Sequence, residues 1–184
     1  LARMEYFVPI APVHNPPYIA AMRLFGRVLP NVALVAAFED GFHTTMPPRR
    51  QLYACPPEWS DTHGVRRYGY HGASHRCIAQ KLAKLMPDAS RVISCHLGGS
   101  SSICAIRDGK SVATSMGLTP QSGLAQGTRV GDFDPFGLKL MAERTGRDMD
   151  DLLAELGNRS GLAAMSGTSG DIRDIEAGLA AGDQ

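Results

Sequence analysis

The sequence predicts an α/β protein, and three observations predict it. Two segments with apolar residues at helical spacing, residues 16–29 and 74–86, alternate with short apolar runs at 32–38 and 91–96 that turn residues bound on both sides. An Asp108-Gly109 dipeptide joins two further runs, 101–107 and 110–114, and Asp-Gly in that setting is a strong hairpin signal. Strands and helices are therefore interleaved along the chain.

Pro16-Pro17-Tyr18 opens the first helix, because Pro suits a first helical turn, and Ile19, Met22, Phe25 and Leu29 recur along one face until Pro30 ends it. Asn31 leads into the run 32–38, read as a buried strand, and Glu39-Asp40-Gly41 closes it. The two acids then stand at a strand's C-terminal end, where open α/β sheets gather ligands. Adjacent residues of an extended segment point to opposite sides, so only one of Glu39 and Asp40 can face a site. Residues 44–61, rich in Pro and polar side chains, read as loop with short helical pieces and as a domain junction. The helix at 74–86 carries Ile78, Leu82 and Leu85 on one face and stops at Pro87.

The run 91–96 is a second buried strand, Leu97-Gly98-Gly99-Ser100 a tight turn, and the two hairpin arms complete three consecutive antiparallel strands. Asp134-Pro135 places an N-cap and a Pro before the helix 136–145, with Gly146 just past its end. Asp148 opens another helix closed by Gly157, and Asp171 precedes a last helix at 172–181.

Composition excludes several function classes. At 184 residues, 43% hydrophobic and 20% charged, the chain has core material for one generous domain, or one domain plus part of another. A net charge of +1 leaves no general electrostatic footprint for nucleic acid or an anionic membrane, so any anion must be bound locally. No apolar run approaches the roughly 18–20 residues needed to span a bilayer. The start, Leu1-Ala2-Arg3-Met4-Glu5, carries no signal-peptide pattern, and Cys55, Cys77, Cys95 and Cys104 lack paired spacing, so they read as reduced thiols in a cytoplasmic chain.

Four local patterns can carry chemistry, each with a plainer alternative. His96-Leu97-Gly98-Gly99-Ser100 either cradles phosphate with backbone N–H groups and hydroxyls or serves only as a turn needing Gly. Gly127-Thr128-Arg129-Val130-Gly131-Asp132 sets one Arg among small residues, fit to steady a transferring phosphoryl group or to lie idle on the surface. Residues 166–173 end at a helix N-terminus, an anion site unless Ser169 is merely the N-cap. His71 and His75, four apart, invite zinc together with His14 or His43, although packing beside Ile78 and Leu82 explains His75 equally and no Glu stands between the pair.

Taken together these segments resemble the acetate kinase (acetokinase) family. The resemblance rests on seven ordered motifs: residues 11–17, residues 38–47, Tyr68-Gly69-Tyr70-His71-Gly72-Ala73-Ser74-His75, His96-Leu97-Gly98-Gly99, residues 114–120, the Arg129 loop and residues 166–174. It implies the actin-like ATPase (ribonuclease H-like) fold, with residues 1–43 as the C-terminal part of a first domain and 44–184 as the N-terminal part of a second. It implies a homodimer that moves phosphate reversibly between ATP and a short-chain carboxylate with Mg²⁺, whose ligands are expected outside this chain.

By position, the resemblance makes Glu39, His71 and Arg129 catalytic. His96, Leu97, Gly98, Gly99, Ser100, Asp171, Ile172 and Arg173 line the nucleotide site, and Val13, Tyr70 and Pro120 the pocket for the acid's alkyl group. Glu39 replaces the family's usual Asp, Gly99 its Asn, Ser100 a further Gly, and Val13 and Tyr70 its common Leu and Phe. An Asn-rich phosphate turn, a substrate-binding Arg near His-Gly-Gly, and a late Gly-Glu-Asn segment and metal-linked Glu have no counterparts here, so the chain reads as an internal piece. Three functions follow as expectations: a carboxylate kinase represented by its central portion, a non-catalytic remnant acting as a structural or dimerisation module, or a zinc hydrolase.

Overall fold

The structure, a computed structural model, describes residues 1–12 and 14–182. The chain divides into two units, Leu1–Phe38 and Glu39–Gln184. In the first unit, helix α1 (Ala2–Tyr6) and a 3₁₀ turn (Val8–Ile10) precede helix α2 (Asn15–Val28). Pro16 and Pro17 occupy the first positions of α2, where a missing N–H costs nothing, and Ile19 is buried. Asn15 Nδ2 donates to Met4 O at 2.8 Å and Arg23 pairs with Glu5, tying α1 to α2.

The buried strand expected at 32–38 is not formed. The segment pairs with no other strand among the described residues, and Val35 is 91% exposed. An apolar run favours a strand only where a neighbour supplies the ladder hydrogen bonds. Glu39 and Asp40 consequently do not end a strand; they begin a 3₁₀ segment, Glu39–Thr45.

In the second unit the expected helical pieces in the Pro-rich stretch are α3 (Pro48–Gln51) and α4 (Pro57–Asp61). Helix α5 (Gly72–Leu85) follows, and then strands β1 (Arg91–Leu97), β2 (Ser101–Arg107) and β3 (Lys110–Thr114) form an antiparallel meander in the order β1-β2-β3. The hairpin turn forms as read, with Asp108 and Gly109 both at positive φ.

Period-2 alternation sets the inward face. Val92, Ser94 and His96 of β1 stand opposite Ile106, Cys104 and Ser102 of β2, while Ile93 and Leu97 are exposed. Ala79, Cys104 and Ile106 form the apolar core with Phe42 and Val92 against them. Next to that core the buried side chains are polar: His43, His75, Ser94, Ser102, Ser111 and Gln126.

Helices α6 (Phe136–Thr145), α7 (Met149–Asn158), α8 (Gly161–Ser166) and α9 (Ile172–Ala181) complete the unit. Asp134 Oδ1 accepts from Phe136 N–H, and Gly146 closes α6 in the left-handed conformation. Asp148 caps α7 by accepting from Asp151 N–H at 2.7 Å, and α7 continues one residue past Gly157, the expected stop, because Gly157 is packed inside the helix against Gln121. Asp171, not Ser169, is the N-cap of α9, accepting from Arg173 N–H at 2.9 Å.

Gly161, first residue of α8, has φ +66°, and a Cβ there would overlap Gln126 O and approach Arg129 N to 2.8 Å. Gly146 has a similar φ of +69° with open space around it. Gly146→Ala should therefore cost about 1–2 kcal/mol from backbone strain alone. Gly161→Ala adds overlap with backbone that cannot rotate away and should cost about 2–4 kcal/mol, read by denaturant unfolding of the two variants side by side.

Candidate functional site

The three loops that the sequence singles out meet backbone to backbone. Gly127 N–H donates to Gly99 O at 3.3 Å, and Gly170 packs so closely on Gly127 O that a Cβ at Gly170 would overlap it. A Cβ on Gly99, by contrast, would meet open space. The Gly98-Gly99-Ser100 turn thus presents bare backbone outward, and residues 127 and 170 brace it from behind. Close approach requires glycine at 170, whose φ is +80°.

Arg129 reaches this turn. Its side-chain hydrogen bonds all leave from Nη1, to Ser100 Oγ at 3.0 Å, Gln126 Oε1 at 3.3 Å and Pro120 O at 3.5 Å. The guanidinium is half-buried, and no carboxylate is among its partners among the described residues. A cation held by neutral acceptors keeps its full charge for a ligand.

His71 faces the same region. It sits at the N-cap of α5 with φ 57°, a left-handed conformation uncommon outside glycine but one that His, Asn and Asp adopt more readily than other residues. Its ring stacks on His96 with centroids 3.9 Å apart, and the positive fields of His96 and Arg129 add to burial in pushing its pKa down to about 4, burial being the largest cause. It is therefore neutral near pH 7.

Behind His71 runs a chain of hydroxyls and imidazoles. Ser102 Oγ lies 2.9 Å from both His71 Nδ1 and His75 Nε2, and His75 Nδ1 lies 2.9 Å from Ser94 Oγ. Ser102 has one proton to give, so two arrangements satisfy the chain, and each couples the tautomer of His71 to that of His75. When Ser102 donates to His71, the outer nitrogen Nε2 carries the proton and can donate to an oxyanion. Ser74 Oγ holds His96 Nδ1 at 3.0 Å, and Ser111 Oγ holds His43 Nδ1 at 2.9 Å. Burial lowers the pKa of His43 and pushes His75 down to about 4.

The remaining sequence candidates fall into two groups. Glu39 places its carbonyl against Gly72, the residue after His71, so closely that no Cβ fits between them, and its carboxyl is exposed. Tyr70 donates from its phenol to Leu118 O at 2.9 Å, and burial pushes its pKa up to about 12, while Pro120 O accepts from Gln126 Nε2 at 2.8 Å. Asp171 and Arg173 pair with each other at the start of α9, which holds Asp171 down at about 2, and Ile172 is exposed beside them. Val13 lies outside the described residues.

The zinc expectation finds no donor set among the described residues. Both ring nitrogens of His75 are engaged by serines, so His71 and His75 do not form a zinc pair. No group of three or more His, Cys, Asp or Glu among the described residues is placed to hold a metal, and the resemblance puts the Mg²⁺ ligands outside this chain. A shallow groove of about 350 Å³ runs past Phe42, Arg76, Ala79 and Lys110 and includes none of the loop residues. Arg129, with no acidic partner among the described residues, and the neutral His71 both stand outside the lining of this groove.

Gln126 and the serines at 74, 94, 102 and 111 are the residues that sequence reasoning missed. For Ser94 and Ser102 a signal existed: both fall on the inward face that strand alternation defines. Gln126 had none beyond its place before the Gly127 loop.

An acetokinase family model matches residues 1–184. The chain belongs to the acetokinase family. It is similar to an acetate kinase of Shouchella clausii, 43% identical over all of this chain and 47% of the relative. It is also 45% identical to a propionate kinase of Citrobacter rodentium over 99% of this chain and 46% of that one. Among solved structures, a propionate kinase from Francisella tularensis superposes with a TM-score of 0.89 at 37% identity, covering 99% of this chain and 47% of that chain. The chain thus spans about half the length of the relatives it matches, and its α/β fold is part of the actin-like ATPase fold that the motifs imply. No helix among the described residues is long and apolar enough to cross a membrane.

The histidine network makes stability depend on pH. His71 and His75, at about 4 against the ordinary 6.5, bind fewer protons folded than unfolded within that window. The stability their neutral forms contribute is complete above 6.5 and lost as pH falls toward 4. The melting temperature should drop between pH 7 and pH 5, and His75→Gln should flatten that dependence. A melting curve of equal slope in both proteins would remove His75 from the account.

Proposed function

We propose that the protein carrying this chain is a short-chain carboxylate kinase, transferring the γ-phosphoryl group of ATP to acetate or propionate. One observation carries the reading: a half-buried arginine with no acidic partner stands beside a neutral histidine and an outward-facing glycine turn. A carboxylate oxygen attacks the γ-phosphorus, the bond from that phosphorus to the β,γ-bridging oxygen breaks, and acyl phosphate and ADP form; the reverse step regenerates ATP. Such transfers depend on positioning and on neutralising charge over the equatorial oxygens. Arg129 meets those oxygens with the guanidinium edge not tied to Ser100, and His71 Nε2–H donates to one of them. The N–H groups of residues 98–100 hold the nucleotide's phosphates, and Asp171, Ile172 and Arg173 border the nucleotide. Tyr70, Pro120 and Val13 line the alkyl pocket, and Glu39 assists from its place beside Gly72.

Mg²⁺, if bound, would supply further charge neutralisation to the phosphates, held by ligands that the resemblance puts outside this chain. The resemblance further supports a cytoplasmic homodimer, with residues 1–43 closing one domain and 44–184 opening a second. The competing reading, a non-catalytic remnant, predicts no nucleotide binding by the full-length protein.

In the full-length protein Arg129→Ala should lower kcat at least about 100-fold with either acid, judged by the loss of single charge-stabilising donors. Arg129→Lys should recover only part, because an ammonium cannot bridge two oxygens in a plane. A coupled ATP assay with acetate and propionate reads both; unchanged turnover in Arg129→Ala would sink the assigned role.

A further inference from the structure

Gln126 is fully buried, and every polar atom of its side chain that can reach a partner does so across segments. Oε1 accepts from Ser100 Oγ at 2.9 Å, from Ser101 N–H at 3.2 Å and from Arg129 Nη1 at 3.3 Å, while Nε2 donates to Pro120 O at 2.8 Å. Its backbone is equally committed: the N–H donates to Arg129 O at 3.0 Å and the carbonyl accepts from Leu162 N–H at 2.8 Å. One amide therefore joins the start of β2, the glycine turn, the arginine loop and the segment before it.

We propose that Gln126 is the positioning residue that locks Arg129 to the phosphate turn while leaving the guanidinium charge unspent. The inference rests on the phosphoryl-transfer reading and adds a residue to it. A neutral acceptor is what the position requires. A carboxylate there would hold the guanidinium in place but neutralise it, and an apolar side chain would leave both Ser101 N–H and Arg129 Nη1 short of a buried acceptor. Glutamine alone among residues of this length supplies the acceptor for three donors, no charge, and a donor for Pro120 O. Because Pro120 belongs to the proposed alkyl pocket, the same amide couples the position of the acid's binding wall to the position of Arg129.

Two substitutions in the full-length protein separate charge from shape. Gln126→Met keeps length and apolar bulk but removes all four side-chain bonds; kcat for ATP and acetate should fall about 10- to 100-fold. Gln126→Glu keeps the acceptors and adds charge; it should melt no lower than Gln126→Met yet lose at least as much kcat, because the guanidinium is paired. A purely structural glutamine predicts the opposite for Gln126→Glu, near-normal turnover in a stable protein, and that result overturns the proposal. Should Gln126→Met not fold, Gln126→Glu carries the test alone.

A double-variant cycle closes the argument. With Arg129→Ala already present, adding Gln126→Met or Gln126→Glu should change kcat less than threefold, since the residue it positions is gone. A fully multiplicative loss overturns the positioning role. If Arg129→Ala itself leaves kcat unchanged, the role assigned to Arg129 fails and the inference with it; if the full-length protein shows no turnover with ATP and a carboxylate, the phosphoryl-transfer reading fails; if Arg129→Ala is severe but both Gln126 variants turn over normally, only the inference fails.

Discussion

The second unit is built around one constraint: polar side chains are buried where α5, β1, β2 and the arginine loop meet, and each must find a partner inside the protein. His75, Ser102, Ser111 and Gln126 have no exposed surface. An unpaired donor or acceptor in such a place costs about 1–3 kcal/mol, so the surrounding elements have little freedom to shift against one another. Histidine and serine satisfy each other in pairs at 2.9 Å on the sheet side, and the Gln126 amide does the same on the loop side. The small apolar core of Ala79, Cys104 and Ile106 supplies burial but no comparable specificity of register.

That constraint explains how a chain with a net charge of +1 can be equipped for anions. Burial keeps His71 neutral, so repulsion between it and Arg129 is avoided, and Arg129 is held by a hydroxyl, an amide and a carbonyl in place of a carboxylate. Arg129 is thus left without an acidic partner among the described residues. Gly170 then lets two backbones close at Gly127, whose carbonyl a side chain at 170 would overlap, and Gly127 N–H in turn donates to Gly99 O. Charge is concentrated by geometry, with no basic patch.

Much of the fold was legible locally because its signals are local. Helix α2 follows its Pro pair, α7 its Asp148 cap, and the β2–β3 hairpin its Asp-Gly turn, since each depends on hydrogen bonds or φ preferences within a few residues. The misreadings share a cause. Residues 32–38 have strand composition without a strand partner, and the acids after them were misplaced with them. Gly157 is a plausible stop signal that packing against Gln121 overrides.

The sequence by itself determined the family, the three glycine-bearing loops and the residue types suited to phosphate, because motif order and residue chemistry are properties of the chain alone. Only the tertiary structure decided which of those loops touch, that Arg129 lacks an acidic partner, that His75 is spent on serines and not on a metal, and that an unremarked glutamine joins them. Those are facts about distance and burial, and residues 19 to 68 positions apart come within hydrogen-bond reach only when the strands and loops between them have packed.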